Sequence, residues 1–322
     1  LRVLVTGATG MVGSHLIDYL LANTDWEIYG LIRWRSPLDN LEHILNKIKF
    51  VYGDIRDDVA LRNAITLARP DYVFHLAAQS YPKTSFDSPC DTLDTNIQGT
   101  VRLLEALRGH FCTIHVCSSS EVYGRTKITP ITEGHAFHPA SPYAISKVGA
   151  DLIARHYAEA YGMNIMTTRM FTHTGPRRGD VFMESTFAKQ IAMAESGQIP
   201  PVIKVGNLES VRTIADVRDA VRAYYMLLTV NPQRGEVYNI GGNYTCKVDN
   251  ILATLLALSS TRMEVEVDQE RLRPIDADNQ VPDCSKFMNH TGWKPEIPFE
   301  KTMIDLLNYW RERVKKHAHL TR

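Results

Sequence analysis

The chain opens with RVLVTGATGMVGSHLIDYLL, residues 2–21, and the reading of this stretch decides the fold. Residues 2–6 form a short β-branched run that predicts a strand, and residues 12–21 place apolar side chains at helical spacing. Between them stand Gly7, Gly10 and Gly13, three apart. At a strand-to-helix turn the first glycine permits the tight bend, the second lets backbone approach a pyrophosphate, and the third lets the helix pack on the sheet. Unpaired N–H groups of the first helical turn then face the phosphates. The expected ligand is a dinucleotide, held by Gly7, Thr9, Gly10, Met11, Val12 and Gly13.

A second strand over 27–32 ends at Arg33, Trp34, Arg35 and Ser36. An NAD site usually carries an acid here to hold the ribose hydroxyl, whereas Arg33, Arg35 and Ser36 suit the 2′-phosphate of NADP, which is therefore favoured over NAD. The strand over 48–52 delivers Asp54 to the adenine amine and Ile55 to its ring; a helix cap is the alternative use of Asp54, because 59–68 is helical by pattern. The strand over 72–76 ends in Leu76, Ala77 and Ala78, whose alanines are small enough for phosphate and ribose to pass.

The apolar run 113–117 predicts a strand that ends in Ser118, Ser119, Ser120 and Glu121, at the edge where open α/β sheets bind ligands. Tyr143 and Lys147 are four apart, so a helix starting near Pro142 carries both on one face. A nearby cation favours a phenolate, which would let Tyr143 exchange a proton with a substrate hydroxyl near neutral pH. Alone, such a pair reads more readily as surface neighbours, and a serine run as a turn; the dinucleotide signal shifts the balance toward catalysis. The expected catalytic residues are Ser119, Glu121, Tyr143 and Lys147, the last two also touching the cofactor. Helices over 96–107 and from Pro142 onward have apolar faces to bury on the sheet or against a second subunit, in a homodimer or homotetramer.

After a strand over 164–170 the alternation breaks into a turn-rich basic loop, THTGPRRG at 172–179. Helices follow over 182–197, 217–230, 248–257 and 298–314, with strands over 202–205, 210–215 and 237–240. The prediction is an α/β chain: a Rossmann-like parallel sheet with helices on both faces and a smaller C-terminal α/β substrate lobe. The dinucleotide-binding domain spans 1–171, with segments near 215–245 returning to it; the lobe is non-contiguous, 172–214 and 246–322. Arginine forks match phosphate oxygens, so Arg212 and Arg273 are the first candidates to hold a nucleotide-diphosphate substrate, with Lys189 adding charge.

Composition narrows the partners. A length of 322 residues allows a sizeable core. The 36 basic and 36 acidic side chains cancel, giving no reason to expect nucleic acid or an acidic membrane. Five cysteines with no close pair argue against a disulfide framework or structural zinc, and the twelve histidines form no spaced trio with carboxylates, so no metal is expected. No apolar run approaches the roughly 18 residues of a membrane helix, and no charged-then-apolar leader is present, so the cytosol is the expected compartment.

GATGMVG, HLAAQS, SSSEVYG, SPYAISK and RMFTHTGPRRG together resemble the extended short-chain dehydrogenase/reductase enzymes of nucleotide sugars, most closely the GDP-mannose 4,6-dehydratase group. The related GDP-4-keto-6-deoxymannose reductases are similar through KVGNLESVR, ADVRDAVRAYY, LRP and TGWKP. The resemblance implies that Tyr143 accepts the C4 hydroxyl proton while hydride passes to NADP, that Glu121 removes the C5 hydrogen as water leaves C6, and that hydride returns to C6. It implies that Ser119, where threonine is usual, supports the C4 oxygen, and that Ser80, Ser120, Glu121 and Thr172 lie at the substrate. A reductase, a nucleotide-sugar epimerase and a non-catalytic NADP-binding protein are the alternatives.

Overall fold

The structure, a computed structural model, describes residues 1–272 and 279–318. Six strands alternate with helices through the first half: β1 (Arg2–Thr6), β2 (Glu27–Ile32), β3 (Lys49–Tyr52), β4 (Tyr72–His75), β5 (Thr113–Ser119) and β6 (Asn164–Met170). β7 (His173–Thr174), β8 (Val202–Val205) and β9 (Val211–Asp216) leave this rhythm, β10 (Val237–Ile240) resumes it, and β11 (Tyr244–Lys247), β12 (Glu264–Val267) and β13 (Asn279–Gln280) follow. The helices are α1 (Met11–Asn23), α2 (Asp58–Ala68), α3 (Pro82–Asp87), α4 (Pro89–Leu93), α5 (Gly99–Leu107), α6 (Pro142–Ala160), α7 (Met183–Glu195), α8 (Val217–Thr229), α9 (Val248–Ala257), α10 (Ser285–Thr291) and α11 (Phe299–Ala318).

Seven strands pair in parallel in the order β10-β6-β5-β4-β1-β2-β3. A parallel sheet needs cover on both faces, which is why its strands read as nearly unbroken apolar runs. Val3 and Val5 of β1 point into one core with Leu16 of α1 and Val221 of α8, while Leu4 points into the other with Leu61, Leu104 and Ala154 of α2, α5 and α6. The chain builds outward from β1 to β3, then returns through β4 on the other side. That reversal opens a crevice at the carboxyl ends of β1 and β4, the place where such sheets bind ligands.

The fold is thus a Rossmann-like parallel sheet flanked by helices, with a smaller C-terminal α/β lobe. In the lobe, β9 pairs with β11, β13 and β7, and β8 with β12. Beneath them Ile191 of α7, Leu252 of α9 and Leu306 of α11 share a separate core. Asp216 ties the two parts. Its carboxylate caps α8 through the Arg218 N–H at 2.8 Å and accepts the Thr302 hydroxyl of α11 at 2.8 Å. Within 246–322 not everything stays in the lobe: Phe287 and Trp293 join the core under the large sheet.

The helix expected over 96–107 starts later. Residues Asp94–Gln98 form a wider turn, in which the Gly99 N–H reaches back to the Asp94 carbonyl, before α5 begins. This aims Asn96 inward, where its amide bonds Gln79 N at 2.8 Å, Gln79 O at 2.9 Å and Ser146 Oγ at 2.8 Å. Among the described residues no helix is long and apolar enough to cross a membrane. Trp293 is fully buried and its indole N–H donates to the Asp219 carbonyl at 3.1 Å. Trp293→Ala is expected to cost about 3–5 kcal/mol, read as a lower denaturant midpoint for unfolding.

Candidate active site

At the mouth of the crevice the glycine loop leaves little room for side chains. Gly7 has φ +70°, and a Cβ there would stand 2.8 Å from Ala77 N; a Cβ on Gly13 would stand 2.3 Å from Gly7 O. Gly10 caps α1 with no side chain of its own, so the first N–H groups of the helix are left for a ligand. Thr6 ties this loop to the next one, its hydroxyl accepting the N–H groups of Leu76 and Ala77, both at 3.1 Å. The same hydroxyl lies 2.9 Å from His75 Nδ1; His75 Nε2 is 3.0 Å from Thr100 Oγ1, which donates to Asn96 O at 2.7 Å. Donor must meet acceptor along this chain, so His75 is neutral with its proton on Nε2. Burial, then the charge of Lys147, pushes His75 down to about 3. The backbone cradle and free helix start fit the pyrophosphate of a dinucleotide.

A cleft of about 1520 Å³ runs from this loop into the lobe and is lined by Gly7, Thr9, Gly10, Met11, Val12 and Gly13 at one end. Arg33 and Ser36 line it beyond β2. Arg35 does not; its guanidinium lies 4.2 Å from the ring centroid of the exposed Trp34. Asp54, Ile55, Leu76, Ala77 and Ala78 complete this end. The capping alternative for Asp54 falls to Asp57, which accepts from Val59 N at 2.9 Å and Ala60 N at 3.1 Å at the start of α2. Asp54 instead pairs with Arg56 at 3.0 Å.

Ser118, Ser119, Ser120, Glu121, Tyr143 and Lys147 all line the middle of the cleft. Ser141 caps α6 by accepting the Ala144 N–H at 3.0 Å, and Pro142 takes the first helical position, so Tyr143 and Lys147 share a face. The Lys147 ammonium donates to Cys117 O at 2.8 Å. Ser119 Oγ accepts the Glu121 N–H at 3.2 Å and lies near enough to the Tyr143 phenol to pull its pKa down. Among the described residues nothing donates a hydrogen bond to the Glu121 carboxylate.

The expected lowering of the phenol by Lys147 gives way to a different balance. Burial pushes Tyr143 well above the ordinary phenol value; the Ser119 hydroxyl and the Arg178 charge pull it down, while Cys117 and Glu121 push it up. The cation acting among these is Arg178, whereas Lys147 is committed to a carbonyl and is itself lowered by burial.

At the lobe end Ser80, Thr172, Lys189 and Arg212, expected at the substrate, line the cleft, whereas Arg273 lies outside the described residues. Lys189 pairs with Asp180 at 2.6 Å, and Arg212 donates to Val211 O at 3.0 Å. His173, Glu184 and Trp310 also line the cleft, and with them Arg178, one of the basic turn residues that suit a diphosphate as a set. Arg178 sits 3.4 Å from the Phe182 ring centroid and donates to Glu184 Oε1 at 3.2 Å. No local spacing signals these residues, because the lobe brings them in from distant elements. Among the described residues no group of three or more His, Cys, Asp or Glu is placed to hold a metal ion.

Residues 4–306 match the family model described as GDP-mannose 4,6 dehydratase. GDP-mannose 4,6 dehydratase 1 of Arabidopsis thaliana is 34% identical over 333 residues, covering 98% of this chain and 91% of the relative. GDP-6-deoxy-D-mannose reductase of Pseudomonas aeruginosa is 31% identical over 320 residues, covering 98% and 99%. A solved structure described as RMD from Pseudomonas aeruginosa complexed with NADPH matches with TM-score 0.84 and 30% identity, over 97% of this chain and 100% of that one.

The buried histidines give the fold a pH signature. Burial first of all lowers His75 and His115 to about 3, and His15 and His173 to about 4. The unfolded chain binds these protons near pH 6.5 and the folded chain does not, so the stability present above about pH 6.5 is lost as pH falls toward the folded values. His75→Gln is expected to reduce the pH slope of the unfolding free energy by about 1.4 kcal/mol per pH unit within that window, measured by urea melts at a series of pH values.

Proposed function

This chain belongs to the GDP-mannose 4,6 dehydratase family, and on that footing we propose that it is an NADP-dependent 4,6-dehydratase converting GDP-mannose to its 4-keto-6-deoxy derivative. The observation that carries the reading is the Glu121 carboxylate, which lines the cleft on the turn next to Ser119, close enough to act on the Tyr143 phenol, with no donor from the described residues. Removing a C–H proton beside a carbonyl needs such a positioned base.

The glycine loop holds the cofactor's pyrophosphate, Asp54 and Ile55 its adenine, Arg33 and Ser36 its 2′-phosphate, and Leu76, Ala77, Ala78, Tyr143 and Lys147 the remainder. Arg35, turned onto Trp34, stands outside this set. Arg33 and Ser36 at the cleft support NADP, and the similar Pseudomonas structure holds NADPH. When bound, the nicotinamide supplies a reversible store for one hydride, accepted from C4 and returned at C6. Tyr143 takes the C4 hydroxyl proton while Ser119 holds the oxygen. The resulting ketone acidifies C5, and Glu121 takes that proton. The C6 hydroxyl leaves as water with one of the two protons gained; the other returns to C5. Burial keeps the phenol protonated at neutral pH, so Tyr143 acts as a base only when further positive charge joins Arg178 in the cleft. Arg212 and Lys189 serve the diphosphate, and Ser80, Ser120 and Thr172 the sugar.

A second reading, reduction of a 4-keto-6-deoxy nucleotide sugar by NADPH, is favoured by the same protonated phenol, which is the form that donates to a ketone, and by the reductase relative. Ile145 and Leu152 stand about half exposed on α6, which supports a homo-oligomer, and five free cysteines suit the cytosol.

In deuterated water with GDP-mannose and NADP, the expected product carries deuterium at C5 with no net change in nicotinamide absorbance. NADPH consumed in step with product from a keto sugar, without C5 exchange, supports the reductase instead. Glu121→Gln is expected to slow elimination at least about a hundredfold while the melting temperature holds. Arg33→Ala is expected to weaken NADP about tenfold and NAD far less, by titration of each dinucleotide.

A further inference from the structure

We infer that Arg169 is a positioning residue for this reaction: one buried guanidinium sets the helix that carries Tyr143 and Lys147 against the turn that carries Glu121. The inference rests on the reading of Glu121 as the C5 base. Arg169 is the penultimate residue of β6 and is 1% exposed, a costly place for a charge. Two donors on one edge engage Asp151, Nε to Oδ2 at 2.8 Å and Nη2 to Oδ1 at 3.1 Å. Asp151 also meets Arg155 at 3.4 Å. It lies on α6 one turn beyond Lys147 and two beyond Tyr143, on the same buried face.

The other edge of the guanidinium turns to the base. Arg169 Nη1 donates to the Tyr123 phenol at 2.9 Å and to the Glu133 carbonyl at 2.9 Å. Tyr123 closes the single turn Ser120–Tyr123 that begins beside Glu121, and its hydroxyl donates to Asn239 Oδ1 at 2.7 Å. Asn239 continues to Ile131 O at 2.8 Å, and its backbone N–H reaches Glu133 Oε1 at 2.8 Å. The next residue, Gly124, has φ +52°, and a Cβ there would stand 1.7 Å from His138 O, so the turn packs closely on the segment that covers it, whose His138 N–H donates to Val122 O at 3.0 Å. A fork with fixed geometry therefore relates two groups that the mechanism requires at one sugar ring, and loosening either arm moves one group without the other.

Two variants separate the arms. Tyr123→Phe removes the link to the Glu121 turn and keeps the ring; Asp151→Asn weakens the link to α6. Two steps are measured in each: hydride transfer at C4, by single-turnover nicotinamide absorbance, and proton exchange at C5, started from the 4-keto sugar in deuterated water. Dinucleotide affinity and melting temperature report folding. Misplacement on the ångström scale costs about tenfold to a hundredfold, so Tyr123→Phe is expected to slow C5 exchange at least about tenfold more than C4 transfer, and Asp151→Asn the reverse. A merely structural role lowers both steps in one ratio in both variants; that result, or no loss in either, overturns the inference. If the unaltered protein exchanges no C5 proton, the dehydratase reading has failed, and C4 transfer decides alone: Asp151→Asn must slow it at least about tenfold more than Tyr123→Phe, and equal rates overturn the inference. If Asp151→Asn does not fold, the ratio of the two steps in Tyr123→Phe decides.

Discussion

The parting of the sheet between β1 and β4 is the constraint on which the rest of the molecule depends. Two loops leave adjacent parallel strands there in different directions, and their free N–H groups must be answered. The Thr6 hydroxyl answers Leu76 and Ala77, and through His75 and Thr100 the bond chain continues to Asn96. Asn96 in turn holds Gln79 and Ser146, so the glycine loop, the alanine loop and α6 are fixed by one continuous run of bonds. Nothing in that run is charged, because burial keeps His75 neutral. A protonated imidazole would have no acceptor for its second N–H.

Charge enters the cleft only from its walls, and each charge is held differently. Lys147 sits on a backbone carbonyl, Arg178 over an aromatic ring with a carboxylate beside it, and Arg169 behind the wall with a hydrogen bond at each of its three nitrogens. Glu121 is the exception, lining the cleft with no donor among the described residues. A carboxylate left uncommitted beside a raised phenol is a poor way to stabilise a fold and a reasonable way to move protons.

Much of this was legible in the chain because it depends on short spacings. Three glycines at a strand-to-helix turn specify the cradle, and a four-residue step from Tyr143 to Lys147 puts two side chains on one helix face. The α/β class followed from strand and helix rhythms that local propensity and patterning both obey. Where reading along the chain was incomplete, the reason is tertiary. Asp54 and Asp57 are near neighbours of the same type, and only the helix axis decides that Asp57 is the cap. Arg33 and Arg35 leave the same strand end, yet an exposed tryptophan captures one of them. Asn96 lies in a helical pattern, but its bonds to two other segments go with a wider turn. Arg178, Glu184 and Trp310 come from the lobe, and no spacing in the sequence announces that they line one cleft with the Rossmann half.

As a 4,6-dehydratase the protein must bring Tyr143 and Glu121 to neighbouring atoms of one sugar ring. A crystal structure with both dinucleotide and GDP-mannose bound tests it most directly. The expected complex has the Tyr143 phenol within hydrogen-bond reach of the C4 oxygen and a Glu121 carboxylate oxygen about 3–3.5 Å from C5. A complex with Tyr143 at C4 but Glu121 turned away from C5, its place beside that carbon taken by another group, would contradict it.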